Sequence, residues 1–404
     1  MIYRLGLVIL LTSLFLSCAQ QSQQQNEASS NYFVAKLELN DSLHLPFLIE
    51  SKDSAENSFW SIRNGNERIS LGPINKSLDS FNLELPVFES SFSLSKTSSG
   101  YEGLWTKYQS KSIPISITSS AQNIWQINKP STELQGTWEL HFSPNDSSNH
   151  YPAKGEFDCD ENGQCTGTIL TETGDYRYLV GKNDGQNFTL STFDGAHAFL
   201  FQGNINGDHL TGTFYSGSHF SEPFTGMKNE DFKLRSASSL TFLKEGYDKI
   251  EFKALNLNGD SIHFPQDFSA TKVNAIQILG TWCPNCMDET KLLVNLEARY
   301  PELSILGLAF ERTTDTNIAF PNIRKMRSDL EVSYPVYLTG TWSKSEAAKK
   351  LPMLNAIISY PTLILMDEDL NVKYIHTGFN GPGTGAEYEK TKQEIIEEIE
   401  AIIK

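Results

Sequence analysis

From Tyr32 to Gly226 the chain alternates apolar and polar residues in short runs, such as "FVAKLEL" (33–39), "FNLELPVF" (81–88), "SIPISIT" (112–118), "GTWELHF" (136–142), "NFTLSTF" (187–193) and "HAFLFQGNI" (197–205). Clusters of Gly, Asn, Asp and Ser separate them. Alternation sends successive side chains to opposite faces of a pleated ribbon, so each run predicts a half-buried strand. With almost no helical period between them, these strands predict an antiparallel all-β region, barrel- or sandwich-like, over residues 32–226. The pattern fits one unit or two, with a division near 131–135. Two stretches, "GEFDCDENGQCTGTIL" (155–170) and "GNINGDHLTGTFY" (203–215), share a strand, an Asn-Gly turn and Thr-Gly-Thr. Asn162 and Asn206 mark two hairpins, because Asn-Gly supplies the positive φ of a tight turn.

The period changes after Gly226. A polar, mixed stretch over 227–249 predicts a connection. Beyond it "NAIQILGTW" (274–282) reads as a buried strand and "PNCMDETKLLVNLEARY" (284–300) as a helix. Strands follow at 303–311 and 335–340, then a helix at 343–354 and a strand–turn–strand over 362–379. In 387–404, Ile395, Ile396, Ile399, Ile402 and Ile403 form one apolar helical stripe with glutamates opposite. This βαβ order with a closing hairpin and helix predicts an α/β domain over 250–404. The β region in front resembles small lipocalin-like or up-and-down barrels, through its strand pattern alone.

The first residues, "MIYRLGLVILLTSLFLSC", hold one arginine before an apolar run that is short for a membrane span and so predict a signal peptide over 1–17. The segment resembles a bacterial lipoprotein signal, which implies that Cys18 becomes the lipidated N-terminal residue; Phe15 stands where that pattern usually has Leu. An ordinary secretory signal is the alternative. The polar "QQSQQQNEASSN" (20–31) has nothing to bury and predicts a tether, so that 18–31 links the anchor to the first strand. The whole chain of 404 residues carries a formal net charge of -16 with no basic patch, which argues against nucleic acid.

Five cysteines remain to be placed: Cys18 and two close pairs, Cys159/Cys165 and Cys283/Cys286. Paired cysteines in an exported chain fit an oxidising compartment, here the cell envelope or periplasm. If Glu161-Asn162-Gly163 is a three-residue hairpin loop, Cys159 faces Cys165 and a structural disulfide follows. "DCDENG" (158–163) also mimics the start of a calcium loop, but its twelfth position is Ile169, not the glutamate such a loop needs. Cys283 and Cys286 stand just after a strand and open a helix, where free amides and the helix dipole stabilise a thiolate. Zinc would need two more soft ligands, and His263 and His376 are not at ligand spacing. An inert disulfide so short in sequence would stabilise little. Redox exchange is the expectation, and no cofactor is required for it.

Trp282-Cys283-Pro284-Asn285-Cys286, with Glu289 three residues on and "SYPTLILMD" (359–367) later in the chain, resembles the thioredoxin superfamily. Within it the likeness is to exported, membrane-tethered TlpA/ResA-like thiol–disulfide oxidoreductases. The resemblance implies Cys283 as attacking thiolate, Cys286 as resolving thiol, Glu289 as proton handler near Cys286, Pro361 as a cis-proline beside the disulfide, and Trp282 as a flanking platform. A solvated Glu289 and a core Trp282 are the plain alternatives. It further implies a disulfide-containing protein substrate, a membrane thiol as electron donor and a membrane tie through the lipid anchor. Pro284-Asn285 matches neither the Gly-Pro of reducing thioredoxins nor the Pro-His of strong oxidants, which leaves the direction of electron flow open. Two rival functions stand beside a reductase of protein disulfides. One is a β-domain partner- or ligand-binding lipoprotein with a redox-sensitive arm. The other, a peroxiredoxin-like peroxide reductase, has Thr281 but lacks the expected proline.

Overall fold

The computed structural model describes residues 30–108, 111–119, 124–125 and 129–404, so the leader and Cys18 lie outside the described residues. Eight strands come first: β1 (Ser30–Asn40), β2 (Leu43–Asp53), β3 (Asn57–Asn64), β4 (Glu67–Asn75), β5 (Ser80–Glu84), β6 (Ser90–Lys96), β7 (Gly100–Lys107) and β8 (Lys111–Ser119). They form one antiparallel sheet in the order β4-β3-β2-β1-β8-β7-β6-β5. Alternation gathers Leu37, Phe47, Trp60, Phe92 and Trp105 into a core. That core is completed from outside the sheet. Phe193 stacks on Phe47 at 4.6 Å and on Phe92 at 5.7 Å, and meets Trp105 edge-on at 5.0 Å.

Phe193 belongs to a second sheet, made of β9 (Gly136–Phe142), β10 (Tyr151–Cys159), β11 (Gln164–Thr171), β12 (Gly174–Asp175), β13 (Leu179–Asn183), β14 (Asn187–Phe193), β15 (Ala198–Asn206), β16 (His209–Ser216) and β17 (Phe220–Lys228). Here β17 pairs back with β9 and β10 with β11, so eight strands close into an up-and-down barrel and the two-residue β12 folds against β11. Closure removes the free edges that an open sheet exposes. Trp138, Leu140, Phe142, Phe201 and Phe224 fill its interior. Cys159 faces Cys165 across the β10–β11 hairpin and is disulfide-bonded to it, with Cα atoms 4.1 Å apart. Gly163 takes the left-handed turn position at φ 72°. Asp160 turns its carboxylate inward on the loop, accepting from the amides of Asn162 and Gln164 at 2.9 Å each.

The last part contains β18 (Phe252–Leu255), β19 (Ser261–Phe264), β20 (Val273–Leu279), α1 (Pro284–Arg299), β21 (Leu303–Glu311), α2 (Thr316–Asp329), β22 (Val336–Thr341), α3 (Lys344–Lys350), β23 (Thr362–Met366), β24 (Val372–Thr377) and α4 (Ala386–Ile403). The strand order is β19-β18-β22-β21-β20-β23-β24, parallel across β20, β21 and β22 and antiparallel elsewhere. β20 sits at the centre and is buried along its whole length. Among the described residues no helix is long and apolar enough to cross a membrane.

Some elements differ from the sequence expectation. α2 was not foreseen, because Pro321 lies inside it and interrupts the pattern; Asp315 caps it, and Ala319, Phe320, Ile323 and Met326 form its buried face. The β18–β19 hairpin was also missed, its strands being only four residues each. α3 ends at Lys350, well before residue 354, since Pro352 disfavours helical geometry in the residue ahead of it. The connection after β17 packs onto the last part of the chain. Leu240 and Ile250 are buried, and Lys244 N donates to Met353 O at 2.8 Å.

Candidate active site

β20 runs at the middle of the α/β sheet and delivers the chain to the N-terminus of α1. Cys283 caps that helix in an extended conformation, and Pro284 follows at its first position, where a missing N–H loses nothing. The Cys286 amide donates to Cys283 Sγ at 3.2 Å. Cys283 and Cys286 are joined as a disulfide with Cα atoms 5.3 Å apart. Cys283 Sγ also lies 3.4 Å from the carbonyl oxygen of Tyr360, whose peptide bond to Pro361 is cis. Pro361 is buried, and its carbonyl accepts from Gly378 N at 2.9 Å. The half-buried Trp282 is fixed by its Nε1–H to Phe310 O at 2.9 Å and stands edge-on to Tyr360 and Trp342. Cys283, Cys286, Trp282 and Pro361 therefore share one place.

Glu289 shares it too, on the inner side. It is completely buried one helical turn beyond Cys286. Gln277 of β20 donates from one Nε2 to Glu289 Oε2 at 2.9 Å and to Cys286 O at 3.2 Å. Its Oε1 accepts from Thr290 at 3.1 Å and from Tyr334 at 3.3 Å. Among the described residues Glu289 Oε1 has no hydrogen-bond partner. Burial disfavours the charged carboxylate and pushes Glu289 up to about 8, against the opposing pull of the Gln277 bond. Thr281 is committed elsewhere: its amide and hydroxyl both donate to Glu311, at 2.8 and 2.7 Å. Burial also raises Glu311 above the usual carboxylate range.

Sequence reasoning did not find the outer wall of the site, because it comes from the barrel. Asn285, between the two cysteines, donates to Asp175 Oδ2 and to Phe379 O, each at 3.1 Å. Asp175 Oδ2 also accepts from Gly381 N at 2.7 Å, and Ser359 Oγ donates to Thr173 O at 2.6 Å. Two residues on, Arg177 pairs with Asp288 of α1, with Glu67 of β4 at 2.9 Å, and with Asp194 at 3.3 Å. Burial opposes the charge of Arg177, but the carboxylates of Asp288, Glu67, Asp194 and Asp175 outweigh it and hold the guanidinium protonated. Burial raises both Glu67 and Asp175. The contacts of Asn285 and Asp288 with the barrel, and of Arg177 with Glu67, join residues about 110 positions apart, so no local sequence signal announces them.

No protein-family model matches the chain, and no curated protein does. Among solved structures it is similar to a DsbF homologue from Corynebacterium diphtheriae, at 19% identity over 42% of this chain and 98% of that one, with a TM-score of 0.30. It is similar to a thiol:disulfide interchange protein of the thioredoxin family from Chlorobium tepidum, at 16% identity over 40% of this chain and 99% of that one, TM-score 0.29. The thioredoxin domain of a thiol-disulfide oxidoreductase from Bacteroides vulgatus matches at 15% identity over 38% of this chain and 99% of that one, TM-score 0.28.

Proposed function

We propose that this protein is a thiol–disulfide oxidoreductase that reduces disulfides of other proteins through Cys283 and Cys286. The observation that carries the reading is the pairing of a helix-capping cysteine with a buried proton site. Cys283 receives the Cys286 amide at the positive end of α1, and Glu289, at about 8, sits one turn further along. The helix end stabilises a Cys283 thiolate, which is the attacking form. That thiolate attacks one sulfur of a substrate disulfide; one S–S bond forms, one breaks, and a substrate thiolate leaves. The Cys286 thiol then loses its proton and attacks Cys283 Sγ, releasing the second substrate thiolate and closing the Cys283–Cys286 disulfide. Two electrons pass to the substrate, and its two thiolates take up the protons. A carboxyl at about 8 lies close to the ordinary thiol range near 8.5, so ionised Glu289 can take the Cys286 proton with little free-energy difference.

In this reading the protein works in the cell envelope, held to a membrane by a lipid on Cys18 and re-reduced by a membrane thiol donor. The leader pattern "LFLSC" and the oxidising context of its cysteines support that placement. The test uses the full chain in detergent. Reduced protein should reduce insulin, and its potential should lie below that of glutathione. Cys286→Ser should trap a mixed disulfide through Cys283, and Cys283→Ser should abolish exchange. Turnover by Cys283→Ser would refute the assignment. Mass spectrometry of the N-terminal peptide reads the lipid directly.

A further inference from the structure

The reactive segment is covered to a degree its chemistry does not tolerate. Every residue from Cys283 to Glu289 is buried, Cys283 is 6% exposed and Cys286 0%. A thiolate must meet a substrate sulfur nearly in line with the bond it breaks, so a protein disulfide needs open space at Cys283 Sγ. A crevice lined by Tyr108, Trp282, Arg312 and Ile318 reaches the tryptophan, but neither cysteine forms its wall. Two pieces from outside the α/β part lie over this segment: Val87 and Phe88 of the first sheet, beside Pro284 and Met287, and the barrel corner from Thr173 to Arg177, which holds Asn285 between the cysteines.

We propose that this corner is a displaceable stand-in for the substrate, resting on the proposed oxidoreductase reading. The face it covers offers donors: Asn285 Nδ2 from between the cysteines, Gly381 N, and Ser359 Oγ next to Tyr360, whose carbonyl oxygen lies 3.4 Å from Cys283 Sγ. The corner answers with the Thr173 carbonyl and the Asp175 carboxylate, and Arg177 pairs with Asp288 just beyond. Gly174 allows the approach: it has φ 141°, and a Cβ there would stand 2.6 Å from Asn285 Nδ2. When the corner lifts, Gly381 N loses its acceptor, Asn285 keeps only Phe379 O and Ser359 keeps only Tyr360 O, and an extended peptide that offers a carbonyl and a carboxylate fits the vacated positions. The class of substrate that displaces the corner is therefore a protein whose disulfide is flanked by an acidic residue. The barrel thus keeps the dithiol closed to proteins without such a segment.

Two variants and two measurements on the native barrel test this in the full chain. Asp175→Ala removes the acceptor of Asn285 and Gly381, and Gly174→Val drives a branched side chain against Asn285. Each charge-assisted hydrogen bond lost shifts an opening equilibrium by about tenfold. Both variants should speed iodoacetamide alkylation of reduced Cys283 by about tenfold or more, with insulin reduction rising in step. In Cys286→Ser trapped with a disulfide peptide, amide exchange over 172–178 should accelerate relative to the free protein. A peptide with Asp two residues from its cysteine should react faster than one with Lys there. Alkylation within twofold of wild type in a folded variant overturns the proposal, as does unchanged protection in the trapped adduct or equal rates for the two peptides. Faster alkylation without any insulin reduction would uphold the cover and refute the oxidoreductase reading instead.

Discussion

Replacing Glu289 with Gln should change how the stability of the oxidised protein depends on pH. In the unfolded chain this carboxyl ionises near 4.5, whereas burial holds it protonated in the fold up to about 8. Between those values the folded state binds one proton more than the unfolded state. A raised folded value means that the stabilisation is complete at low pH and is lost as pH rises, at about 1.4 kcal/mol per pH unit. Over the whole window the loss is on the order of 5 kcal/mol, and above about pH 8 both states are ionised and the slope vanishes. Gln fills the same space without a charge. The stability of Glu289→Gln minus that of wild type should therefore be small near pH 5 and rise to several kcal/mol by pH 8 to 9. Glu67, Asp175 and Glu311 are raised too, but they are common to both proteins and cancel in the difference. Urea unfolding of the disulfide-closed forms at each pH measures it, with the thiols removed from the titration. Parallel pH profiles for the two proteins would refute the argument, since Glu289 would then ionise in the fold as it does in the open chain.

Arg177→Met should destabilise the protein by about 3–5 kcal/mol, because it strands buried carboxylates that lose their counter-charge. The loss should shrink as pH falls, because burial raises Glu67 and a protonated Glu67 no longer needs the counter-charge, and denaturant midpoints at two pH values would read it. Removing Cys159 and Cys165 together should cost only about 2 kcal/mol, since the bridge closes a loop with a sequence separation of 6. Insulin reduction by that double variant should equal wild type; a collapse of activity would make the second pair part of the redox path.

What the sequence makes legible here is local. Alternation marks strands because the pleat has a period of two, as in Gly136–Phe142, where Trp138, Leu140 and Phe142 all point inward. The Asn-Gly turn fixes the hairpin register, so Cys159 and Cys165 can be paired by counting. The Cys-x-x-Cys motif is legible because one strand and one helix present it. Glu289 is half legible: its spacing from Cys286 is in the sequence, but its burial depends on β20 and Tyr334 packing around it. Gln277 is one polar residue in an apolar strand, and its role appears only when β20 passes beneath α1. The Asp175, Arg177 and Asp288 contacts are illegible for a plainer reason. They join distant parts of the chain, and charged residues on a barrel turn have the same composition whether they face water or a partner.

The way Phe193 completes the first sheet has a consequence for biogenesis. β1 through β8 are synthesised first, yet the ring that fills their core emerges only with β14. Until then Phe47, Phe92 and Trp105 border an unfilled apolar surface, the kind that recruits holding chaperones or associates with other chains. The N-terminal sheet therefore cannot mature ahead of the barrel, and the interval between them is the period in which this protein is most exposed to misassembly.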